Sequence, residues 1–144
     1  MLNLLEQRIF IVDDDELMLK SLHQVLSKMG IEDIQTFNNG TDCVNALNQN
    51  PFIVLLDYEM AGLSGFEVLR KIKRYNPNTY VLMLSAQADI AFAVDTLKFG
   101  AFDYIVKGEK DIVQIKNALD RIIKVEENIL APRPSIFSKI FNLF

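Results

Sequence analysis

The feature that most constrains the fold is a short run of bulky apolar residues that ends in a carboxylate, Ile53-Val54-Leu55-Leu56-Asp57. A run of this length without a polar interruption predicts a strand that is buried on both faces, as in a parallel sheet. Residues 9–12 form a second such run, and three consecutive aspartates follow it. An ionised carboxylate at the end of a buried strand requires a partner that offsets its desolvation. The two acidic strand ends therefore predict a functional edge if the strands lie side by side.

Strand-like and helix-like segments alternate five times along the chain. After each strand candidate, apolar residues recur at the three- and four-residue intervals of a helix with one buried face, and Gly30, Pro51, Pro77 and Gly100 separate the segments. The repetition predicts an α/β protein, a doubly wound five-stranded parallel sheet with helices on both faces. The predicted strands are residues 9–12, 33–37, 53–57, 80–84 and 101–106, and helices are expected at 16–29, around 43–47, from 66 to 73, over 88–99 and from 112 to at least 123.

In open sheets of this kind the ligand site lies at the carboxyl ends of the strands. The residues expected there are Asp13, Asp14, Asp57, Ser85 and Lys107. Crowded carboxylates repel one another, and a divalent cation with oxygen ligands, Mg²⁺ in particular, relieves that repulsion. A lysine and a serine hydroxyl suit the oxygens of a transferred phosphoryl group, and a carboxylate is the remaining candidate for the attacking group.

With these residues in place, the sequence resembles the receiver domain of two-component response regulators over about residues 8–127. The resemblance rests on the acid pair after the first strand, the aspartate that ends the third, Ser85-Ala86 after the fourth and Lys107 after the fifth. It implies a flavodoxin-like receiver with strand order 2-1-3-4-5.

The resemblance also implies residue roles. Asp57 would be the phosphoacceptor, Asp14 and Asp57 would bind Mg²⁺ directly together with the backbone carbonyl of Glu59, and Asp13 would bind it through water. The phosphoryl oxygens would be held by Ser85 and Lys107. Tyr104, three residues before the lysine, matches the aromatic residue whose rotamer reports activation.

The sequence departs from the family pattern in the loops. Ala61 stands where proline is common, and Gly108 stands where members usually have a cis proline. Because a cis bond before a non-proline residue costs about 3–4 kcal/mol, we expect a trans Lys107–Gly108 peptide unless that bond is strained. The position of Glu59 tunes phosphoryl lifetime in the family, and we hypothesise that this carboxylate repels or misplaces attacking water.

The composition indicates which partners are unfavourable and which cellular compartment is favoured. The net charge of −4 and pI near 5.0 argue against nucleic acid as a partner. A single cysteine, Cys43, excludes an intrachain disulfide and favours the reducing cytoplasm, and we interpret it as small core filler. His23 is expected on the surface, and Asp15 is expected to cap a helix.

We expect a receiver domain at residues 1–127, a proline-containing linker at 128–134 and an amphipathic tail at 135–144. The tail is expected to bind its own domain, a second copy of the chain as a homodimer, or a signalling partner. With only two cations, Arg133 and Lys139, it is not expected to attach to membranes. Residues 88–99 are apolar around much of the helix, which fits either an exposed patch or deep burial.

These features predict a phosphorylation-dependent signalling switch and not an enzyme. Asp57 would receive a phosphoryl group from a histidine kinase or phosphotransfer protein, and the output would pass to a downstream signalling protein by direct contact. One alternative is a small aspartate-nucleophile phosphohydrolase, for which Glu59 has the spacing of a general acid although no cap insertion is present. Another is an adaptor that works through its tail without phosphorylation.

Overall fold

The computed structural model describes residues 2–131, which form one parallel sheet of five strands in the order 2-1-3-4-5 when the strands are numbered along the chain. The predicted fold class and strand order are therefore confirmed. The strands are β1 Ile9–Val12, β2 Ile34–Phe37, β3 Ile53–Asp57, β4 Tyr80–Ser85 and β5 Asp103–Val106.

Within residues 2–131, five α-helices connect and cover the strands, with short 3-10 turns at Leu4–Glu6 and Leu47–Gln49. They are α1 Glu16–Lys28, α2 Gly40–Asn45, α3 Gly65–Tyr75, α4 Ile90–Lys98 and α5 Asp111–Leu130. The Asp15 side chain accepts a hydrogen bond from the Leu17 amide, so Asp15 caps α1 as predicted.

The bounds of α4 and β5 differ from the predicted ones because capping interactions fix them. Asp89 caps α4 by accepting hydrogen bonds from the amides of Ala91 and Phe92, so the helix begins at Ile90 and not at residue 88. At the other end the amide of Ala101 donates to the carbonyl of Thr96, and Gly100 adopts a φ of +105° that favours glycine. The amide of Ala101 thus ends the helix, and β5 begins at Asp103 and not at residue 101.

Alternate residues of the central strands enter two separate cores, one on each face of the sheet. Ile53 and Leu55 pack with α1 and α5, whereas Val54 and Leu56 pack with α2 and α3. Both sides of β3 are therefore apolar, as expected for a central parallel strand. Cys43 is fully buried in the second core, which confirms its interpretation as core filler.

The register of the sheet brings the two acidic ends together. Val12 of β1 is level with Leu56 of β3, so the next residues along the two strands, Asp13 and Asp57, emerge side by side. Asp57 is in turn level with Leu84 of β4, one residue before Ser85.

The apolar surface of α4 is largely exposed, which decides between the two interpretations of residues 88–99. Thr96 is the buried residue of this helix, while Ile90 is 81% exposed and Val94 and Leu97 are exposed as well. His23 is also exposed, as predicted.

Helix α5 runs to Leu130, three residues past the expected end of the domain at 127. Ala131 follows it, and the rest of the predicted linker and the tail, residues 132–144, lie outside the described residues. Among residues 2–131, no helix is both long and apolar enough to cross a membrane.

Candidate functional site

Three carboxylates converge at the carboxyl edge of the sheet. Asp13 and Asp57 are 1% and 2% exposed, whereas Asp14 faces solvent. One oxygen from each of the three lies within 4.8 Å of the others. The prediction that the acidic ends of β1 and β3 meet is confirmed.

Lys107 joins this cluster from the end of β5. Its Nζ donates to Asp13 Oδ2 and to Asp57 Oδ1, each at 2.9 Å. The Lys107 amide continues the pairing with β4 by donating to the Ser85 carbonyl at 2.8 Å. The described residues contain no cis peptide, so Lys107–Gly108 is trans. The lysine therefore reaches the carboxylates without the cis bond that is usual at this position in the family.

Burial is the largest single influence on the pKa values of Asp57 and Lys107. Burial raises the pKa of Asp57 to about 7, with further upward contributions from Asp13 and Glu59, and the hydrogen bond and charge of Lys107 oppose this rise. Burial lowers the pKa of Lys107, but its contacts with Asp13 and Asp57 outweigh that effect and the net direction is upward. A second cation near Asp57 would favour its ionised form.

The loop after β3 folds tightly against the site. The Gly65 amide donates to the Tyr58 carbonyl at 3.0 Å, and a Cβ on Gly65 would overlap the Asp57 carbonyl oxygen and lie 2.7 Å from Tyr58 Cα. Glycine is therefore required where α3 begins. Ala61, in the same loop, donates its amide to Asp14 Oδ2 at 3.4 Å.

The donor set at this edge fits Mg²⁺. The three clustered carboxylates offer only oxygen ligands, and the exposed Asp14 leaves one side open to water. Mg²⁺ prefers such ligands and usually retains several waters.

Ser85 points to a different partner from the one expected. Its buried hydroxyl donates to Glu59 Oε1, and the Ala86 amide donates to Glu59 Oε2 at 3.3 Å. The sequence predicts the position of Glu59 and a role for its backbone carbonyl, but it does not predict this side-chain contact.

The sequence matches the family of response regulator receiver domains over residues 9–120. The chain belongs to the response regulator receiver domain family. This receiver domain is similar to the DNA-binding transcriptional regulator NtrC of Escherichia coli, with 32% identity over 126 residues, which are 87% of the chain and 26% of NtrC. It is also similar to the chemotaxis protein CheY of Thermotoga maritima, with 31% identity over 102 residues, 70% of the chain and 85% of CheY.

Solved structures that resemble this chain also include members of the receiver domain family. The structure of a CheX-CheY-BeF3-Mg complex from Borrelia burgdorferi matches this receiver domain with a TM-score of 0.76 and 28% identity, covering 81% of the chain and 89% of the matched chain. The chain spans only about a quarter of the length of NtrC and the other transcriptional regulators that it matches.

Tyr104 contacts the loop that follows β4 and not the carboxylate cluster. Its hydroxyl donates to the Gln87 carbonyl at 2.7 Å, so it links β5 to the loop that follows Ser85. Tyr58 stacks on Phe92 of α4 at 4.9 Å and meets Tyr104 edge-on at 6.4 Å. No role is predicted for Tyr58 from the sequence.

Proposed function

We propose that this receiver domain is a phosphorylation-dependent switch in which Asp57 accepts the phosphoryl group. The observation that carries the proposal is the pairing of a buried Asp57 with Lys107 Nζ at 2.9 Å, beside two further carboxylates. A buried carboxylate held by a lysine at the open edge of a sheet is positioned to react, and its raised pKa is typical of a functional site.

In the proposed step, an ionised Asp57 oxygen attacks the phosphorus of a phosphohistidine on a histidine kinase or phosphotransfer protein. A P–O bond forms, the P–N bond breaks, and the imidazole nitrogen keeps the electron pair and takes a proton. Lys107 neutralises charge on the phosphoryl oxygens as they approach. The product is an acyl phosphate, which water can hydrolyse and which therefore suits a reversible signal.

We further propose that Asp13, Asp14, Asp57 and the backbone carbonyl of Glu59 hold Mg²⁺, with Asp13 acting through water. When bound, Mg²⁺ would neutralise negative charge on Asp57 and on the oxygens of the incoming phosphoryl group. The Borrelia burgdorferi CheY complex contains both Mg²⁺ and the phosphoryl analogue BeF3, which supports this assignment.

The output of the switch is proposed to pass to a downstream protein by contact. Phosphorylation adds a charge of about −1.5 to −2, which would draw Ser85 inward and shift the surface formed by α4, β5 and α5. The exposed apolar residues Ile90, Val94 and Leu97 of α4 support a protein-binding role for that surface.

The test is incubation with acetyl phosphate and Mg²⁺, followed by intact-mass measurement. We expect the wild-type chain to gain one phosphoryl group and Asp57→Asn to gain none. Asp15→Asn is the matched control because Asp15 is exposed and asparagine caps helices equally well. Equal labelling of Asp57→Asn would overturn the assignment, and steady phosphate release from a small phosphoester would support a phosphohydrolase instead.

A further inference from the structure

We infer that the Glu59 carboxylate competes with the phosphoryl group for the Ser85 hydroxyl. Before phosphorylation, this carboxylate accepts hydrogen bonds from the Ser85 hydroxyl and the Ala86 amide. The inference rests on the proposed function, in that it takes Asp57 as the phosphoacceptor and Ser85 as a phosphoryl ligand. The hydrogen bond between Ser85 and Glu59 must then break before Ser85 can bind the phosphoryl group.

Glu59 accepts hydrogen bonds from both the Ser85 hydroxyl and the Ala86 amide. A serine hydroxyl has one hydrogen to donate, and a backbone amide has one. The Ser85 hydroxyl donates its hydrogen to Glu59 Oε1, and the Ala86 amide donates to Oε2 at 3.3 Å. The Gln87 amide donates to Ser85 Oγ at 3.0 Å, which leaves the hydroxyl hydrogen directed at Glu59. A phosphoryl oxygen that binds Ser85 must therefore displace the carboxylate.

The charge of Glu59 also opposes phosphorylation of Asp57. The Glu59 carboxylate accepts a hydrogen bond from the Ser85 hydroxyl, which the proposed function assigns to the phosphoryl group, so a phosphoryl group on Asp57 would face this charge at short range. The hydrogen bonds of Lys107 go to Asp13 and Asp57 and not to Glu59. Like charges this close repel. Phosphorylation and the Glu59–Ser85 contact are thus mutually unfavourable.

Glu59 and Ser85 differ in their exposure to solvent. Glu59 is exposed and lies in the loop after β3, whereas Ser85 is fully buried at the end of β4. Once its hydrogen bonds are broken, the carboxylate can turn into water, while Ser85 can only exchange one acceptor for another. Ser85 would bind Glu59 in the unphosphorylated protein and the phosphoryl group in the phosphorylated protein, so Glu59 stabilises the inactive state.

The test uses beryllofluoride with Mg²⁺ as a stable phosphoryl analogue and measures its dissociation constant by calorimetry. A charge-assisted hydrogen bond is typically worth more than about 1 kcal/mol, so we expect Glu59→Ala to bind about fivefold or more tightly than the wild type. Glu59→Gln should gain less because its amide oxygen still accepts. Glu109→Ala, which removes an exposed carboxylate after β5, should stay within about twofold of the wild type.

A double-mutant cycle separates the contact from the charge. If Glu59 competes through Ser85, the gain from Glu59→Ala must shrink to about twofold in a Ser85→Ala background, where only the Ala86 amide remains to be released. Equal gains in both backgrounds would mean that Glu59 acts only by repulsion, and this would overturn the inference.

A second readout is the NMR chemical shift of the Ala86 amide in the unphosphorylated protein. It should shift in Glu59→Ala and remain in place in Glu109→Ala, and an unchanged resonance in Glu59→Ala would also overturn the inference. Failure of the wild type to bind beryllofluoride would count against the proposed function. Wild-type binding without a gain in Glu59→Ala would count only against Glu59 as a competitor.

Discussion

Removal of the Asp57 charge should stabilise the fold in the absence of divalent cations. Asp57 is 2% exposed, and burial raises its pKa from 3.8 to about 7 despite the hydrogen bond from Lys107. The folded protein therefore binds a proton at Asp57 that the unfolded chain releases at lower pH. Because the folded pKa lies above the unfolded one, ionisation of Asp57 costs stability as the pH rises from about 4 to about 7.

The magnitude follows from the size of this difference. Three pKa units correspond to about 4 kcal/mol, which is the largest cost that the ionised carboxylate imposes near pH 8. Near pH 5 the same relation gives about 2 kcal/mol. An asparagine side chain at this position would have almost the same shape and would not titrate. We expect Asp57→Asn to be more stable than the wild type, by an amount that grows by about 2 kcal/mol from pH 5 to pH 8.

The assay is urea unfolding followed by circular dichroism between pH 5 and pH 8 in EDTA. Asp15→Asn is again the control, since it removes the same charge from an exposed site and should change the free energy of unfolding by less than about 0.5 kcal/mol at every pH. Added Mg²⁺ should stabilise the wild type more than Asp57→Asn at pH 8. Parallel pH profiles for the wild type and Asp57→Asn, or a less stable variant at pH 8, would refute the reasoning.

Three further predictions concern other positions in the domain. Gly65→Ala should destabilise the fold and impair phosphorylation because the added Cβ would displace the Asp57 backbone. Gly108→Ala has open space around it, so urea unfolding should show that it is as stable as the wild type or up to about 1 kcal/mol more stable. Asp89→Ala should cost about 1 kcal/mol by loss of the α4 cap, and recovery in Asp89→Asn would identify the cap as the cause. Burial raises the pKa of Cys43 to about 12, so a thiol reagent should label it only on unfolding, and rapid labelling of the native protein would contradict this.

The arrangement of the sheet could be predicted from the sequence because it depends on patterns that repeat along the chain. Buried strands such as 53–57 have no polar residues before their final carboxylate, and the intervening helices have a regular apolar period. Parallel strands place their carboxyl ends at one edge, so the strand order predicts that Asp13 and Asp57 lie at the same edge of the sheet. Element bounds were less predictable because single capping contacts, such as those of Asp89 and Ala101, decide them.

Side-chain partners at the site could not be predicted in the same way. The sequence places Glu59 and Ser85 on neighbouring strand ends, but the contact between them depends on the path of the loop after β3. The direction of Tyr104 likewise depends on the position of the Gln87 carbonyl. Such contacts arise from loop geometry and rotamers, which residue spacing does not determine.

The phosphoacceptor is most directly identified by borohydride trapping. Borohydride reduces an aspartyl phosphate to homoserine, so the chain is treated with acetyl phosphate and Mg²⁺, reduced, digested and sequenced by mass spectrometry. We predict that homoserine appears at position 57 and that this depends on acetyl phosphate. Homoserine at position 13 or 14 with none at 57, or its absence from all three positions in a chain that has gained a phosphoryl group, would contradict the assignment of Asp57.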